Sequence, residues 1–175
     1  NAQKRVVKEI HTDMKMNVCM NRLLQGDVGS GKTIVSILSS ALAVGNNVQV
    51  AVMAPTEILA NQHYESFKVE LSKARITCCL LVGKMKKKER KTIIDNINTG
   101  KISVVIGTHA IIQDDVIFKN LGLVIIDEQH RFGVTQRNKL TKKGVNPHLL
   151  SMTATPIPRT LSITYMGDMD LSIID

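Results

Sequence analysis

One eight-residue segment constrains this chain more than any other feature of its sequence. Residues 26–33 read GDVGSGKT, which fits the pattern G-x-x-x-x-G-K-[ST]. The segment follows a short apolar run, Arg22–Gln25, and opens a long apolar stretch that begins at Lys32. A glycine-rich loop between a strand and a helix points successive backbone N–H groups at phosphate oxygens. The sequence therefore predicts a strand–loop–helix unit that binds a nucleotide.

The chemistry of this loop assigns a role to each of its parts. We expect the loop amides and the Lys32 ammonium to hold phosphate, and the Thr33 hydroxyl to coordinate Mg²⁺. The N-terminus of the following helix adds a favourable dipole. A glycine-rich turn that binds nothing is the alternative, and the complete motif in its strand–helix context disfavours it. The candidate nucleotide-binding residues of the loop are Gly26, Asp27, Val28, Gly29, Ser30, Gly31, Lys32 and Thr33.

A second motif lies at the end of another apolar run. Residues 123–130 read LVIIDEQH, so Asp127 and Glu128 follow a buried type of strand. Ligands of open parallel sheets bind at the carboxyl ends of the strands. We expect Asp127 to hold Mg²⁺, directly or through water, and Glu128 to orient the water that attacks the γ-phosphate. A solvated acidic turn is the alternative for this segment in isolation. With the phosphate loop in the same chain, we predict that Lys32, Asp127 and Glu128 are catalytic.

Short apolar runs alternate with amphipathic stretches along the whole chain. This alternation predicts an α/β fold in one domain, with a mostly parallel central sheet and helices on both faces. The predicted strands are Arg22–Gln25, Val48–Ala54, Ile76–Val82, Ile102–Gly107, Leu123–Asp127, His148–Thr153 and Leu171–Ile174. The predicted helices are Gln3–Met14, Lys32–Val44, Glu57–Lys73, Lys86–Asn98, Gln136–Lys142 and Pro158–Met166. Thr56 is the expected N-cap of the third helix.

Composition excludes several classes of protein. No apolar run in the 175 residues approaches the length of a membrane span, and Lys4, Arg5 and Lys8 interrupt any N-terminal signal. Three cysteines cannot build a disulfide framework, so we expect a reducing, cytoplasmic location. The net charge of +8 favours a polyanionic partner, whereas 3% aromatic residues argue against a base-stacking platform. We therefore expect contacts with a nucleic-acid backbone and none with a membrane.

Together these motifs resemble those of the superfamily 2 helicases of the DExH type. Residues 53–60, MAPTEILA, are similar to the motif that contacts the nucleic-acid backbone in that family, and residues 107–110, GTHA, follow a strand where the family has its next DNA-contacting loop. Residues 151–156, SMTATP, are similar to the motif that couples nucleotide state to strand binding. The resemblance implies a RecA-like P-loop domain that uses ATP and Mg²⁺ to move on DNA.

The resemblance also implies roles for individual residues. Gln3 matches the glutamine that recognises adenine, although an exposed helix-surface glutamine is an equal alternative. Gln129 and His130 match residues that sense the γ-phosphate, and a core histidine is the alternative for His130. The implied nucleic-acid contacts are Pro55, Thr56, Glu57, Gly83, Gly107, Thr108 and His109. The implied coupling residues are Thr153, Ala154, Thr155 and Arg159.

Two further segments narrow the resemblance within the family. Residues 130–134, HRFGV, and 156–160, PIPRT, are similar to bacterial helicases that remodel branched DNA such as stalled forks and Holliday junctions. Transcription-repair coupling translocases share both segments, but they typically carry an aromatic residue where Ser30 stands and a glutamate where Gln129 stands. These two residues favour the branched-DNA helicases. A nucleotide-dependent switch that does not move on nucleic acid is the alternative from another functional class.

The domain organisation implied by the resemblance exceeds this chain. Residues 1–175 account for the first motor domain, whereas the family pattern needs a second RecA-like domain and the branched-DNA helicases need a wedge domain. The chain begins without Met and stops after an apolar run, so we expect it to be a piece of a longer protein. The expected partners are therefore duplex and branched DNA and the second motor domain. Alone, the chain is expected to bind nucleotide with negligible turnover.

Overall fold

Seven strands form one sheet, and every pairing that the structure describes between them is parallel. The structure, a computed structural model, describes residues 1–158 and 167–175. The strand order across the sheet is β3-β4-β2-β5-β6-β1-β7. The strands are β1 (Asn21–Gly26), β2 (Gln49–Met53), β3 (Cys78–Leu81), β4 (Val104–Gly107), β5 (Leu121–Ile126), β6 (His148–Thr153) and β7 (Asp170–Ile174).

The sheet separates two hydrophobic cores. Along β2, Val50 and Val52 face the first core, whereas Ala51 and Met53 face the second. This alternation follows from the pleat, which turns successive side chains to opposite faces. Because both faces of the sheet are covered, β4 and β5 are apolar along their whole length, as the sequence indicated for several strands.

Helices cover both faces of the sheet, which confirms the predicted α/β architecture. The first face carries α1 (Ala2–Met14), α2 (Lys32–Gly45) and α3 (Glu57–Lys73), and the second carries α4 (Lys87–Asn98) and α5 (Val134–Thr141). The predicted helix Pro158–Met166 lies outside the described residues apart from Pro158. No helix in the described part of the chain combines the length and apolar character needed to span a bilayer.

Two short 3₁₀ turns, His109–Ile112 and Gln129–Arg131, were not predicted from the sequence. Each follows the carboxyl end of a strand, β4 in the first case and β5 in the second. A single turn contains too few residues to show a helical hydrophobic period, so its formation depends on the packing around it. Both turns lie at the edge of the sheet where the predicted site residues are found.

The strand order determines which motifs become neighbours. The phosphate loop follows β1, the acidic motif follows β5, and β6 runs between these two strands. On the other side of β5, the carboxyl ends of β2, β4 and β3 follow one another in that order across the sheet. One edge of a single sheet therefore carries the predicted nucleotide elements on one half and the predicted nucleic-acid contacts on the other.

Candidate nucleotide site and nucleic-acid edge

The phosphate loop requires glycine at two positions for conformational reasons. Gly29 and Gly31 have positive φ angles of 83° and 98°, which L side chains rarely adopt. At Gly31 a Cβ atom would also lie 2.0 Å from Nε2 of Gln3. The Ser30 N–H donates a hydrogen bond to the Asp27 carbonyl at 3.0 Å, which closes the turn. The loop is thus a tight backbone cradle that side chains at these positions would disrupt.

Lys32 places its ammonium group inside this loop. Its Nζ donates hydrogen bonds to the carbonyl oxygens of Gly26 and Asp27, the latter at 2.9 Å. Lys32 is also the first residue of α2, so the positive end of the helix dipole lies at the same point. Positive charge and backbone donors therefore converge on one spot, as binding of a phosphate chain requires.

Gln3 joins the first helix to the phosphate loop. Its side-chain Nε2 donates a hydrogen bond to the Ser30 carbonyl at 3.0 Å. The side chain therefore lies against the loop rather than on an open helix surface, which is the position that an adenine contact needs. The adenine contact itself stays a prediction.

Asp127 is buried at the end of β5, with only 7% of its surface exposed. Its N–H donates to the Met53 carbonyl at 2.9 Å, which links it to the end of β2. Its Oδ2 lies 2.6 Å from Nε2 of His63 on α3. Sequence reasoning missed His63. The buried face of α3, where His63, Phe67 and Leu71 recur at every fourth residue, was the signal that could have found it.

Glu128 adopts a left-handed backbone conformation, with φ 48° and ψ 56°. For a residue other than glycine this conformation costs on the order of 1–3 kcal/mol, and such strain is concentrated at functional sites. The carboxylate Oε2 lies 3.5 Å from Nδ1 of His130. The strained turn directs the Glu128 side chain into the cleft beside the phosphate loop.

Gln129 and His130 follow in the short 3₁₀ turn. The Gln129 side chain is buried, and its Oε1 accepts a hydrogen bond from an Arg137 Nη1 of α5 at 3.1 Å. His130 is half-exposed beside Glu128. Neither residue lines the cleft, so Gln129 connects the acidic motif to α5 in this structure. Their contact with a γ-phosphate stays a prediction.

The predicted nucleotide residues open onto one cleft of about 840 Å³. Lys32 and Thr33 form one side, Asp127 and Glu128 another, and Ala154 after β6 lies between them. Residues of α2 and α3 continue the cleft away from the loop. The structure thus brings together the phosphate loop, both carboxylates and one predicted coupling residue, although they come from distant parts of the sequence.

The segment after β6 is held by two hydrogen bonds. The Thr153 hydroxyl accepts from the Thr155 N–H at 3.1 Å, which forms a turn at the strand end. The Ile157 N–H donates to Oε1 of Gln25 at 3.2 Å. Gln25 directly precedes the phosphate loop, and sequence reasoning did not single it out. Arg159 lies outside the described residues.

The predicted nucleic-acid contacts lie at the carboxyl ends of β2, β3 and β4, which are adjacent strands. Thr56, Gly83 and His109 are exposed there, and Pro55 and Glu57 are partly exposed. The structure buries Gly107 and Thr108 instead. A Cβ at Gly107 would lie 1.9 Å from the Leu81 carbonyl oxygen, so close strand packing explains this glycine. Only 2% of Thr108 is exposed, so its hydroxyl does not reach the surface.

Thr56 caps α3, as predicted. Its hydroxyl accepts a hydrogen bond from the Leu59 N–H at 3.2 Å, and its backbone is extended. The same hydroxyl is exposed at the edge of the sheet. Thr56 therefore has a structural role whether or not it contacts nucleic acid.

The residues of the cleft fit ATP and Mg²⁺. Glycines without side chains line the loop, and Ser30 Oγ is buried without a hydrogen-bond partner among the described residues. Thr33 and Asp127 offer a hydroxyl and a carboxylate, both hard oxygen ligands of the kind that Mg²⁺ prefers. Two protein ligands beside phosphate oxygens suffice, because Mg²⁺ usually keeps several waters.

Comparison with known proteins shows which family of proteins the chain belongs to. The sequence model of the DEAD/DEAH box helicases matches residues 1–163. The chain belongs to this family.

Within the family the chain is similar to one particular helicase, RecG. It is 56% identical to "ATP-dependent DNA helicase RecG" of Aquifex aeolicus (strain VF5) over 176 residues, which cover 99% of this chain and 22% of that protein. It is 54% identical to the RecG protein of Bacillus subtilis (strain 168) over 175 residues, which cover 100% of this chain and 26% of that protein. The chain thus spans about a quarter of the length of these curated relatives.

Solved structures agree with this similarity. The structure of RecG bound to a three-way DNA junction superposes with a TM-score of 0.88 at 48% identity, covering 100% of this chain and 24% of that chain. The Hef helicase domain of Pyrococcus furiosus superposes with a TM-score of 0.72 at 20% identity, covering 98% of this chain and 37% of that one, and shows a shared fold alone. The predicted helicase resemblance and RecA-like fold are confirmed.

Proposed function

We propose that this chain is the ATP-binding motor domain of a RecG-like DNA translocase that remodels branched DNA in recombination and repair. One observation carries the proposal most directly. The nucleotide cleft at β1, β5 and β6 and the exposed strand ends at β2, β3 and β4 lie on one edge of one sheet. A motor needs this adjacency, because hydrolysis has to alter the contacts with the nucleic acid.

The residues of the cleft divide the catalytic work. Lys32 and the loop amides bind the phosphate chain, and Gln3 recognises adenine from α1. Thr33 and Asp127 would hold Mg²⁺, which supplies charge neutralisation on the phosphate oxygens. Glu128 orients the attacking water from its strained position at the strand end. Gln129 and His130 report the γ-phosphate to their neighbours in the acidic motif.

The segment after β6 is the proposed coupling element. Thr153 closes its turn, Ala154 lines the cleft, and Gln25 connects Ile157 to the strand that carries the phosphate loop. A rearrangement of phosphates in the cleft would therefore act on this segment directly. Thr155 and Arg159 are further proposed coupling residues, and a second RecA-like domain of the full-length protein would supply the remaining side of the ATP site.

The proposed DNA contacts are to the sugar–phosphate backbone. Pro55, Thr56, Glu57, Gly83 and His109 form the accessible part of the edge, and the chain carries a net charge of +8. Gly107 and Thr108 contribute by holding the loop in place rather than through exposed side chains. Duplex and branched DNA are the proposed substrates, and the proposed location of the activity is the cytoplasm.

The experiment that tests this function is a DNA-binding measurement on the full-length protein. Fluorescence anisotropy of a labelled three-way junction and a labelled duplex would be followed across a salt series, with and without a non-hydrolysable ATP analogue. We expect log affinity to fall linearly with log salt, because the contacts release counterions from phosphates. His109→Glu, which adds one negative charge at the edge, should weaken DNA binding and leave nucleotide affinity intact.

Thr99→Glu is the matched control for that variant. Thr99 is exposed and follows α4 at the opposite end of the sheet from His109, and the substitution adds the same charge. It should bind DNA like the wild type. An equal loss of DNA affinity in His109→Glu and Thr99→Glu would contradict the proposal that DNA binds at this edge of the sheet. Tight nucleotide binding with no DNA binding at any salt concentration would instead support a nucleotide-dependent switch.

A further inference from the structure

His63 makes a contact that the helicase motifs do not account for. It lies in the second turn of α3, 8% of its surface is exposed, and its Nε2 is 2.6 Å from Oδ2 of Asp127. An ionised carboxylate can only accept hydrogen bonds, so Nε2 carries the hydrogen and donates it. The distance is short for an N–H···O contact, as expected when the acceptor is charged.

The imidazole ring of His63 also packs against an aromatic neighbour on the same helix. It meets the Phe67 ring edge to face, with the ring centroids 6.4 Å apart and the planes at 89°. Phe67, one turn further along α3, is completely buried in the first core. Because the neighbouring ring and the helix backbone fix its position, His63 presents its N–H group in one orientation.

Asp127 depends on this contact for its own orientation. Among the hydrogen bonds of the described residues, the one from His63 is the only one that its carboxylate makes. Its backbone is fixed separately, through the Met53 carbonyl. Groups that hydrogen-bond a metal-binding side chain set its orientation, and their loss typically lowers metal affinity about 10–100-fold.

We propose that His63 is a positioning residue for Mg²⁺ binding. It donates to one carboxylate oxygen of Asp127, fixes the rotamer of that side chain, and leaves the other oxygen free to face the cleft. His63 and Asp127 both line that cleft. The inference rests on the proposed role of Asp127 in holding Mg²⁺. It adds to that site a residue of α3 that orients the metal-binding carboxylate.

The test is a Mg²⁺ titration of nucleotide binding by the full-length protein, read from the fluorescence of a labelled ATP analogue. His63→Leu and His63→Phe remove the donor, whereas His63→Gln keeps an N–H donor on a side chain of similar reach. We expect the two donor-less variants to need at least about 10-fold more Mg²⁺ for half-maximal binding. Their nucleotide affinity in EDTA should equal that of the wild type. His63→Gln should restore most of the Mg²⁺ response.

Leu71→Ala is the matched control, because Leu71 is buried in the first core two turns further along α3, so the substitution disturbs the packing of this helix without removing a contact of the His63 ring. If it shifts the Mg²⁺ requirement as much as His63→Leu does, His63 acts through the helix packing and the proposal is overturned. An unchanged Mg²⁺ requirement in both donor-less variants also overturns it, as does the failure of both to fold by circular dichroism. If the wild type itself shows no Mg²⁺-dependent nucleotide binding, the proposed function fails first, which distinguishes the two results.

Discussion

Gly31 and Glu128 both adopt the left-handed region of backbone space, but for different reasons. At Gly31 the conformation is inexpensive, and the lack of a side chain leaves room for the Gln3 amide. At Glu128 a side chain is present and the backbone carries the strain. Selection for stability alone would favour glycine there. The strained position of this carboxylate at the mouth of the cleft supports the role that is proposed for Glu128.

This strain leads to a prediction for position 128. Glu128→Gly should be more stable than Glu128→Ala by roughly 1 kcal/mol, because only alanine keeps the left-handed penalty. Both variants should lose most ATP turnover while they retain nucleotide binding. Urea unfolding monitored by circular dichroism would measure the free energy of unfolding of each variant. Phosphate release by the full-length protein would measure ATP turnover. Equal stabilities for the two variants would show that the backbone at residue 128 relaxes to an ordinary conformation.

The N-terminus of α3 combines a structural role with a predicted binding role. Thr56 caps the helix, and its exposed hydroxyl lies at the proposed nucleic-acid edge. A simple alanine substitution would remove both, so a loss of DNA binding by Thr56→Ala could not be assigned to either. Two other substitutions separate the roles, because serine, threonine and aspartate all cap helices well.

We predict opposite behaviour for two variants of this cap. Thr56→Asp keeps the cap and places a negative charge at the edge, so stability should stay near that of the wild type while DNA affinity falls. Thr56→Ala should lose about 1 kcal/mol of stability. Thr56→Ser should resemble the wild type in both measurements. Urea unfolding and DNA anisotropy would be measured on the same preparations, and unchanged DNA affinity in Thr56→Asp would remove this helix end from the proposed edge.

For the helices and strands, the sequence predicted the elements themselves better than the contacts between them. Each of the seven predicted strands overlaps a strand of the structure, and the apolar run is clearest in β4 and β5, which are buried on both faces. The contact between His63 and Asp127 spans 64 residues, and that between Gln25 and Ile157 spans 132. No local pattern encodes such pairs, since they depend on which strands become neighbours. The burial of Thr108 has the same origin.

For the whole molecule, we predict that the 175 residues alone bind ATP but hydrolyse it slowly. No arginine lines the cleft among the described residues, and an arginine brought to the γ-phosphate raises rates about 10³–10⁵-fold in phosphoryl-transfer enzymes. The full-length protein should therefore exceed the isolated chain by a factor of this order in DNA-stimulated turnover. Phosphate release at saturating ATP and DNA would be compared for the two, with Lys32→Ala as the background. Similar rates for both would show that one domain completes the catalytic site.

The strand order has a consequence for how the molecule is made. Among the described residues, strand β1, which carries the phosphate loop, pairs with β6 and β7, which follow β5 in the sequence. By contrast, β2, β3, β4 and β5 pair with one another and are complete once residue 126 has been synthesised. During synthesis, β2, β3, β4 and β5 therefore leave the ribosomal tunnel and can pair while β1 still lacks both of its neighbouring strands. Such long-range pairings form slowly and leave apolar strand edges open in the meantime. The nascent chain therefore completes the scaffold of the proposed DNA edge before it completes the strands beside the phosphate loop.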